Sequence, residues 1–149
     1  MTSKSDRLRP VARATEKKER SAAILVTESK RSLDEGMLQL EQLDIYRNEY
    51  IEMFRVIGGQ GLSVQKMQEY RIFIANLESA IAQQRQLVEK YQEDYDANKK
   101  IWYASRGKVK ALDAVIVRHE KKKQQEDARR DQRELDDRPQ RVNSFDEKE

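Results

Sequence analysis

With 149 residues, 38% of them charged and only 37% hydrophobic, the chain suits a single domain but is poor in material for a thick globular core. It has no cysteine and one histidine, His119, so nothing supports a disulfide framework or a metal cluster, and no apolar run approaches the roughly 18 residues that cross a bilayer. The net charge of +3 is unevenly spread: residues 1–31 hold nine Lys/Arg against four Asp/Glu, residues 32–117 eleven against thirteen, and residues 118–149 ten of each.

In chain order, the first residues lack the apolar core of a signal peptide, and a first helix is expected over residues 8–57. Pro10 is tolerated in a first turn, where its missing N–H would have had no partner. Along this helix Ala22, Val26, Ser29, Leu33, Gly36, Leu40, Leu43, Arg47, Tyr50, Phe54 and Ile57 follow one another at steps of three and four, the spacing of a seam that faces another helix. Gly58, Gly59 and Gly61 then break the pattern, so a reversing loop is expected over residues 58–63. Ser63 is placed to cap the next helix, with Leu62 and Met67 at the two positions of a hydrophobic staple.

The second helix is expected over residues 64–138, its seam running from Met67 through Tyr70, Leu77, Gln84, Tyr91, Trp102 and Leu112 to His119. The fold class is therefore all-α: two long helices in an antiparallel coiled-coil hairpin, the second longer than the first, forming one domain. Reversal about residue 60 pairs Leu43 with Leu77 and Val11 with Val109, which leaves the stretch after Ile116 as a charged helical overhang without an intramolecular partner. Residues 139–149 are expected to be disordered.

Near the loop the apolar surface is wider than a two-stranded seam needs. Gln39, Leu43, Tyr46 and Tyr50 are spaced four, three and four, as are Phe73, Leu77, Ala80 and Gln84. In an antiparallel hairpin 39 faces 84, 43 faces 80, 46 faces 77 and 50 faces 73, making one strip from both helices. Such a strip is either the flank of the core or an exposed patch of the kind that marks a protein–protein site.

The segment Tyr46-Arg47-Asn48-Glu49-Tyr50, the Gly-rich turn, and the run Tyr70-Arg71-Ile72-Phe73-Ile74-Ala75-Asn76-Leu77-Glu78-Ser79-Ala80-Ile81 resemble the FliJ family, the small coiled-coil component of the bacterial flagellar type III export apparatus. The resemblance covers roughly residues 33–102. It implies a hairpin similar to the rotor stalk of rotary ATPases, and a cytoplasmic protein, peripheral at the cytoplasmic face of the cell membrane. The implied partners are the flagellar export ATPase and its regulator, the export gate membrane protein and export chaperones. The family's gate-contacting surface maps onto Gln39, Leu43, Tyr46, Tyr50, Phe73, Leu77, Ala80 and Gln84, with Gln84 standing where some relatives place a histidine. Contact with the ATPase ring is expected at the free ends, including the overhang after Ile116.

Two other readings compete with this one. A generic coiled-coil scaffold or chaperone-like adaptor would use the same patch on partner helices. A helical arm for structured RNA would use Arg7, Arg9, Arg13, Lys17, Lys18 and Arg20, although acids and bases interleave along most of the chain where a nucleic-acid binder carries an unbroken basic stripe; no nucleic-acid partner is expected.

No enzyme activity and no cofactor or metal are expected. The adjacent carboxylates Asp34-Glu35, Glu93-Asp94 and Asp136-Asp137 diverge by about 100° on a helix and cannot act as an acid/base pair. Gly58-Gly59-Gln60-Gly61 lacks the lysine and the preceding strand of a phosphate loop. Arg47, Gln84 and Asn98 are read as polar seam residues that set register at a cost in stability.

Overall fold

The structure, a computed structural model, describes residues 3–146, with side chains through Arg138. Two helices pack against each other as an antiparallel hairpin: α1 (Lys4–Gly58, 55 residues) and the longer α2 (Val64–Asp146, 83 residues). Contacts group the residues into two compact units, Arg20–Tyr103, which contains the turn, and Met1–Glu19 with Ala104–Glu149, which contains the two chain ends.

α1 starts earlier than the sequence suggests because Ser3 and Asp6 cap it reciprocally. The Asp6 amide donates to Ser3 Oγ at 3.2 Å, and the Ser3 amide donates to Asp6 Oδ2 at 3.4 Å. Pro10 thus lies inside the helix rather than in its first turn, where it forfeits one i→i−4 bond. At the other end of the molecule's sequence, α2 is carried to Asp146, past the expected end at residue 138 and into the stretch expected to be disordered; residues 147–149 of that stretch lie outside the described residues. A proline fixes a helix-compatible φ, so Pro139 removes a donor without ending the helix.

The turn between the helices is short and locally bonded. The Gln60 amide donates to the Ile57 carbonyl at 3.0 Å and the Gly61 amide to the Gly58 carbonyl at 3.3 Å. Gly61 has φ of +88°, a conformation that side chains disfavour. Ser63 caps α2, its Oγ accepting from the Lys66 amide at 3.3 Å.

In the Arg20–Tyr103 unit the seam of α1 is buried or half-buried from Ala22 to Phe54, and that of α2 from Tyr70 to Trp102. Leu33, Leu77 and Ile81 form its apolar centre, with Ile81 the most enclosed. Ile57 and Met67, expected on the seam, are exposed, because the helices part into the turn beyond the stacked rings of Phe54 and Tyr70. At Gly36 the other helix packs directly against the α1 backbone: a Cβ there would lie 3.0 Å from the Tyr91 ring and 3.4 Å from Val88. The missing side chain is what lets Tyr91 lie against the α1 backbone.

The unit of the chain ends is built from smaller and more polar residues. Ser5, Leu8, Ala12, Thr15 and Glu19 keep the same spacing of three and four, with Ser5 and Ala12 buried, and α2 answers with half-buried Ser105, Val109, Leu112, Ile116 and His119. Arg9 pairs with Glu120, and Ser3, Lys4 and Ser5 line a cleft with His119, Lys122 and Glu126. The overhang expected after Ile116 is therefore partnered by α1 as far as about Glu126. The physical reason is the capping box, which adds a turn to α1 at the point where the sequence appeared to run out. From 127 to 138 every residue is exposed, and Arg130 with Asp127 and Gln132 with Asp136 make local contacts along α2 itself.

Candidate functional site

The eight strip residues fall on one side of the Arg20–Tyr103 unit, at three depths. Gln39 and Tyr46 are exposed, Tyr46 at 49%; Leu43, Tyr50, Phe73, Ala80 and Gln84 are half-buried; Leu77 is buried at 8% exposure. Two of the expected cross-pairs are in direct contact. Gln84 Nε2 donates to Gln39 Oε1 at 3.2 Å, and the rings of Tyr50 and Phe73 stand 4.3 Å apart. Leu77 belongs to the core under the strip rather than to its surface. The strip is thus a flank: its inner edge is packing and its outer edge, from Gln39 to Tyr46, faces solvent.

Gln84 has a double role. Its Nε2 also donates to the Gly36 carbonyl at 3.0 Å, across to the other helix. A polar group in the seam is held in one register by such a bond, and the same side chain orients Gln39 on the outer edge. Gln39, Gln42, Leu43, Tyr46 and Gln84 together enclose a shallow hollow on the surface.

Five aromatic rings join the strip to the turn. Tyr46 meets Phe73 edge-on at 6.1 Å and Tyr50 at 6.5 Å; Tyr50 stacks on Tyr70 at 5.7 Å, and Tyr70 stacks on Phe54 at 3.4 Å. Tyr70 and Phe54 are core-seam residues by sequence spacing, and nothing in that spacing reveals that they continue the ladder. The available signal was the clustering of five aromatic residues within 28 positions of a chain that is only 7% aromatic. Aromatic contacts of this kind contribute about 0.5–1.5 kcal/mol each beyond area burial. They fix Tyr46 and Tyr50 on a rigid support, which reduces the entropy lost when a partner docks.

The other candidates separate from this surface. The basic residues Arg7, Arg9, Arg13, Lys17, Lys18 and Arg20 occupy positions that wrap around α1, and Arg9 is engaged by Asp6 and Glu120. Of the carboxylate pairs, Asp34 meets Lys30 at 3.1 Å and Asp136 accepts from Gln132 at 3.3 Å, each one turn along its own helix. Arg47 donates to Asn48 at 3.4 Å while its Nε is buried without a partner. Two ionisable groups are displaced from their ordinary range: the Ser3 hydroxyl and amide hold the Asp6 carboxyl low, and Glu52 holds the Arg55 guanidinium high. Both lie on exposed helix ends and neither marks a reaction centre. Among the described residues no helix is long and apolar enough to cross a membrane.

A family model described as "Flagellar FliJ protein" matches residues 3–143. The flagellar FliJ protein of Salmonella typhi is 29% identical over 127 residues, covering 85% of this chain and 86% of its own. The flagellar FliJ protein of Escherichia coli K12 is 28% identical over the same length, with the same coverage. No solved structure matches the chain.

Proposed function

Since the chain belongs to the flagellar FliJ family, we propose that it couples the export ATPase to the membrane export gate through the strip centred on Tyr46. As a family member it is a component of the flagellar protein export apparatus. In the finer reading, the ends of the helices meet the ATPase ring and its regulator, the strip meets the gate protein, and the protein helps to cycle export chaperones while remaining in the cytoplasm. It reaches the membrane face through these partners. No catalytic step is assigned to it.

The observation that carries this reading is the exposed edge of Gln39 and Tyr46 on a rigid aromatic support. An exposed ring set beside polar side chains with both donors and acceptors has the chemistry of a binding hot spot. Coupling further requires that the helix ends engage at least two states of the ring with different affinity, since equal contact with both shifts nothing.

Capture of the gate protein by this chain, compared with Tyr46→Ala and Gln39→Ala, tests the reading. Both residues are exposed, so each variant should keep the helical circular dichroism of the parent. Tyr46→Ala is expected to weaken gate binding by about tenfold or more, in the range of an aromatic hot spot, with ATPase binding unchanged. Gate binding unaffected by Tyr46→Ala would remove the strip from the coupling. Leu77→Ala is not a useful probe, because it hollows the core beneath the strip.

A further inference from the structure

The turn end of the hairpin is apolar and uncharged in a chain otherwise dense in charge. From Val56 to Gln65 ten successive residues carry no charge, the longest such run in a sequence that is 38% charged. Val56, Ile57, Val64 and Met67 stand around the turn at 60%, 42%, 76% and 38% exposure, and Val64 is the most exposed large apolar residue among those described. In a helix the Cα–Cβ bond tilts toward the N-terminus, so at the start of α2 the side chains of Val64 and Met67 lean toward the turn rather than back along the helix. Leu62 is half-buried, its side chain lying beside Gly58.

The charges nearest this end are cations on both helices. Arg55 closes the uncharged run on α1 and Lys66 closes it on α2, while the nearest acids, Glu52 and Glu69, stand three residues further back on each helix. Glu52 pairs with Arg55 at 2.8 Å from that position behind it. The order from the turn inward is therefore apolar, then cationic, then acidic. The turn also bonds its own backbone: the Gln60 and Gly61 amides donate to the Ile57 and Gly58 carbonyls, the Lys66 amide to Ser63 Oγ and the Met67 amide to the Ser63 carbonyl. Groups already paired in this way do not resist transfer into a medium poor in hydrogen bonds. Seen end-on, two helices each about 10 Å across present roughly 200 Å², well below the roughly 800 Å² per partner that a stable protein interface buries. A fluid lipid surface sets no such requirement for a matched area.

We infer that the turn end binds directly to an anionic lipid surface. Val56, Ile57, Val64 and Met67 enter the boundary between headgroups and acyl chains, and Arg55 and Lys66 lie at the level of the lipid phosphates. A few aliphatic side chains and two cations give reversible binding, which a second contact must supplement for stable attachment. The inference goes beyond the strip and its partners: the membrane face is met by the turn itself, whether or not the strip binds the gate.

Co-sedimentation of the full chain with vesicles of phosphatidylcholine and phosphatidylglycerol, at millimolar lipid and low salt, tests this. The parent is expected to bind these vesicles and to be released as salt screens the cations. Val64→Asp should weaken binding by about tenfold, the loss of one buried aliphatic side chain, and Lys66→Gln by about fivefold. Both positions are exposed, and circular dichroism confirms that each variant is folded. Tyr46→Ala, which probes the strip, should leave vesicle binding unchanged, so the two readings fail separately. A parent that does not sediment with the vesicles overturns the inference, as does a Val64→Asp variant that binds them like the parent. If that variant keeps the vesicles but loses the gate protein, the turn is a protein contact and the lipid assignment is wrong.

Because the chain has no cysteine, the end-on geometry has its own test. Single cysteines at Val64→Cys and Ile24→Cys are labelled with an environment-sensitive fluorophore; Ile24 is equally accessible, at 58% exposure, but lies roughly 48 Å along α1 from Val56. The label at position 64 is expected to brighten and shift to the blue when vesicles are added, and the label at position 24 to stay unchanged. An equal response at both positions, or none at position 64, contradicts insertion by the turn.

Discussion

The two units of the hairpin use one spacing rule with different materials. Between Arg20 and Tyr103 the seam is filled by Leu33, Leu77, Ile81 and a ladder of rings, whereas in the unit of the chain ends the same positions hold Ser5, Ala12, Thr15 and Glu19. A seam of large apolar residues is stabilised by burial at roughly 25 cal/mol per Å² of apolar surface. A seam of small and polar residues gains little from burial and depends on caps and ion pairs. Spacing alone thus decides which residues face each other, and side-chain volume decides how firmly they are held.

This contrast can be broken or sharpened by substitution, beginning with the largest effect. Ile81→Ala, at the most enclosed position, should cost about 2–5 kcal/mol in urea unfolding followed by circular dichroism. Leu112→Ala at a half-buried seam position of the other unit should cost well under half as much, and equal losses would erase the distinction between the units. Gly36→Val should destabilise by about 1–3 kcal/mol, because the new side chain meets the Tyr91 ring at its closest approach. If it is neutral, the helices there can move apart at no cost.

In the unit of the chain ends the expected effects are smaller and local. Ser3→Ala should cost about 0.5–1 kcal/mol, seen as faster amide exchange in the first turn of α1. The cap also depends on pH. Asp6 has its pKa lowered on folding by Ser3, so its contribution is complete above the pKa of the unfolded carboxyl and is lost as pH falls through the depressed folded value. First-turn protection in the parent should decline on acidification over that window, and in Asp6→Asn this component should be absent. Arg9→Ala should have the smallest effect, no more than about 1 kcal/mol, because the pair with Glu120 is largely solvated.

The hairpin was legible in the sequence because two of its determinants are written locally. The steps of three and four define a face without knowledge of its partner, and Gly58 to Ser63 combine a turn with a cap. What escaped was decided by tertiary context. The apolar pattern of the seam begins only at Ala22, because Ser5, Thr15 and Glu19 are not apolar, although they are buried or half-buried. Pro10 is the visible start signal of α1 in the sequence, while the cap that sets the start is a pair of polar side chains bonding to each other's backbone amides. On the strip, equal spacing predicted a common side but could not distinguish depths. Leu77 and Tyr46 fit the same pattern, yet one is core and the other half-exposed, because a small rotation of each helix about its axis decides how far a flank position turns inward.

One further consequence follows from the seam of the Arg20–Tyr103 unit. Its contacts hold a seven-residue repeat from Ala22 to Phe54, while an ideal straight helix drifts by roughly 20° per heptad against such a repeat. Over that length the drift would carry the seam about a quarter of a turn out of contact. Keeping it in contact requires the helices to wind about each other in a left-handed sense. The strip rides on this winding, so its Gln39–Gln84 end and its Tyr50–Phe73 end point in different directions. Over the 11 residues from Gln39 to Tyr50 that drift amounts to roughly 30°, so a partner that follows the same twist meets both ends more squarely than a straight one.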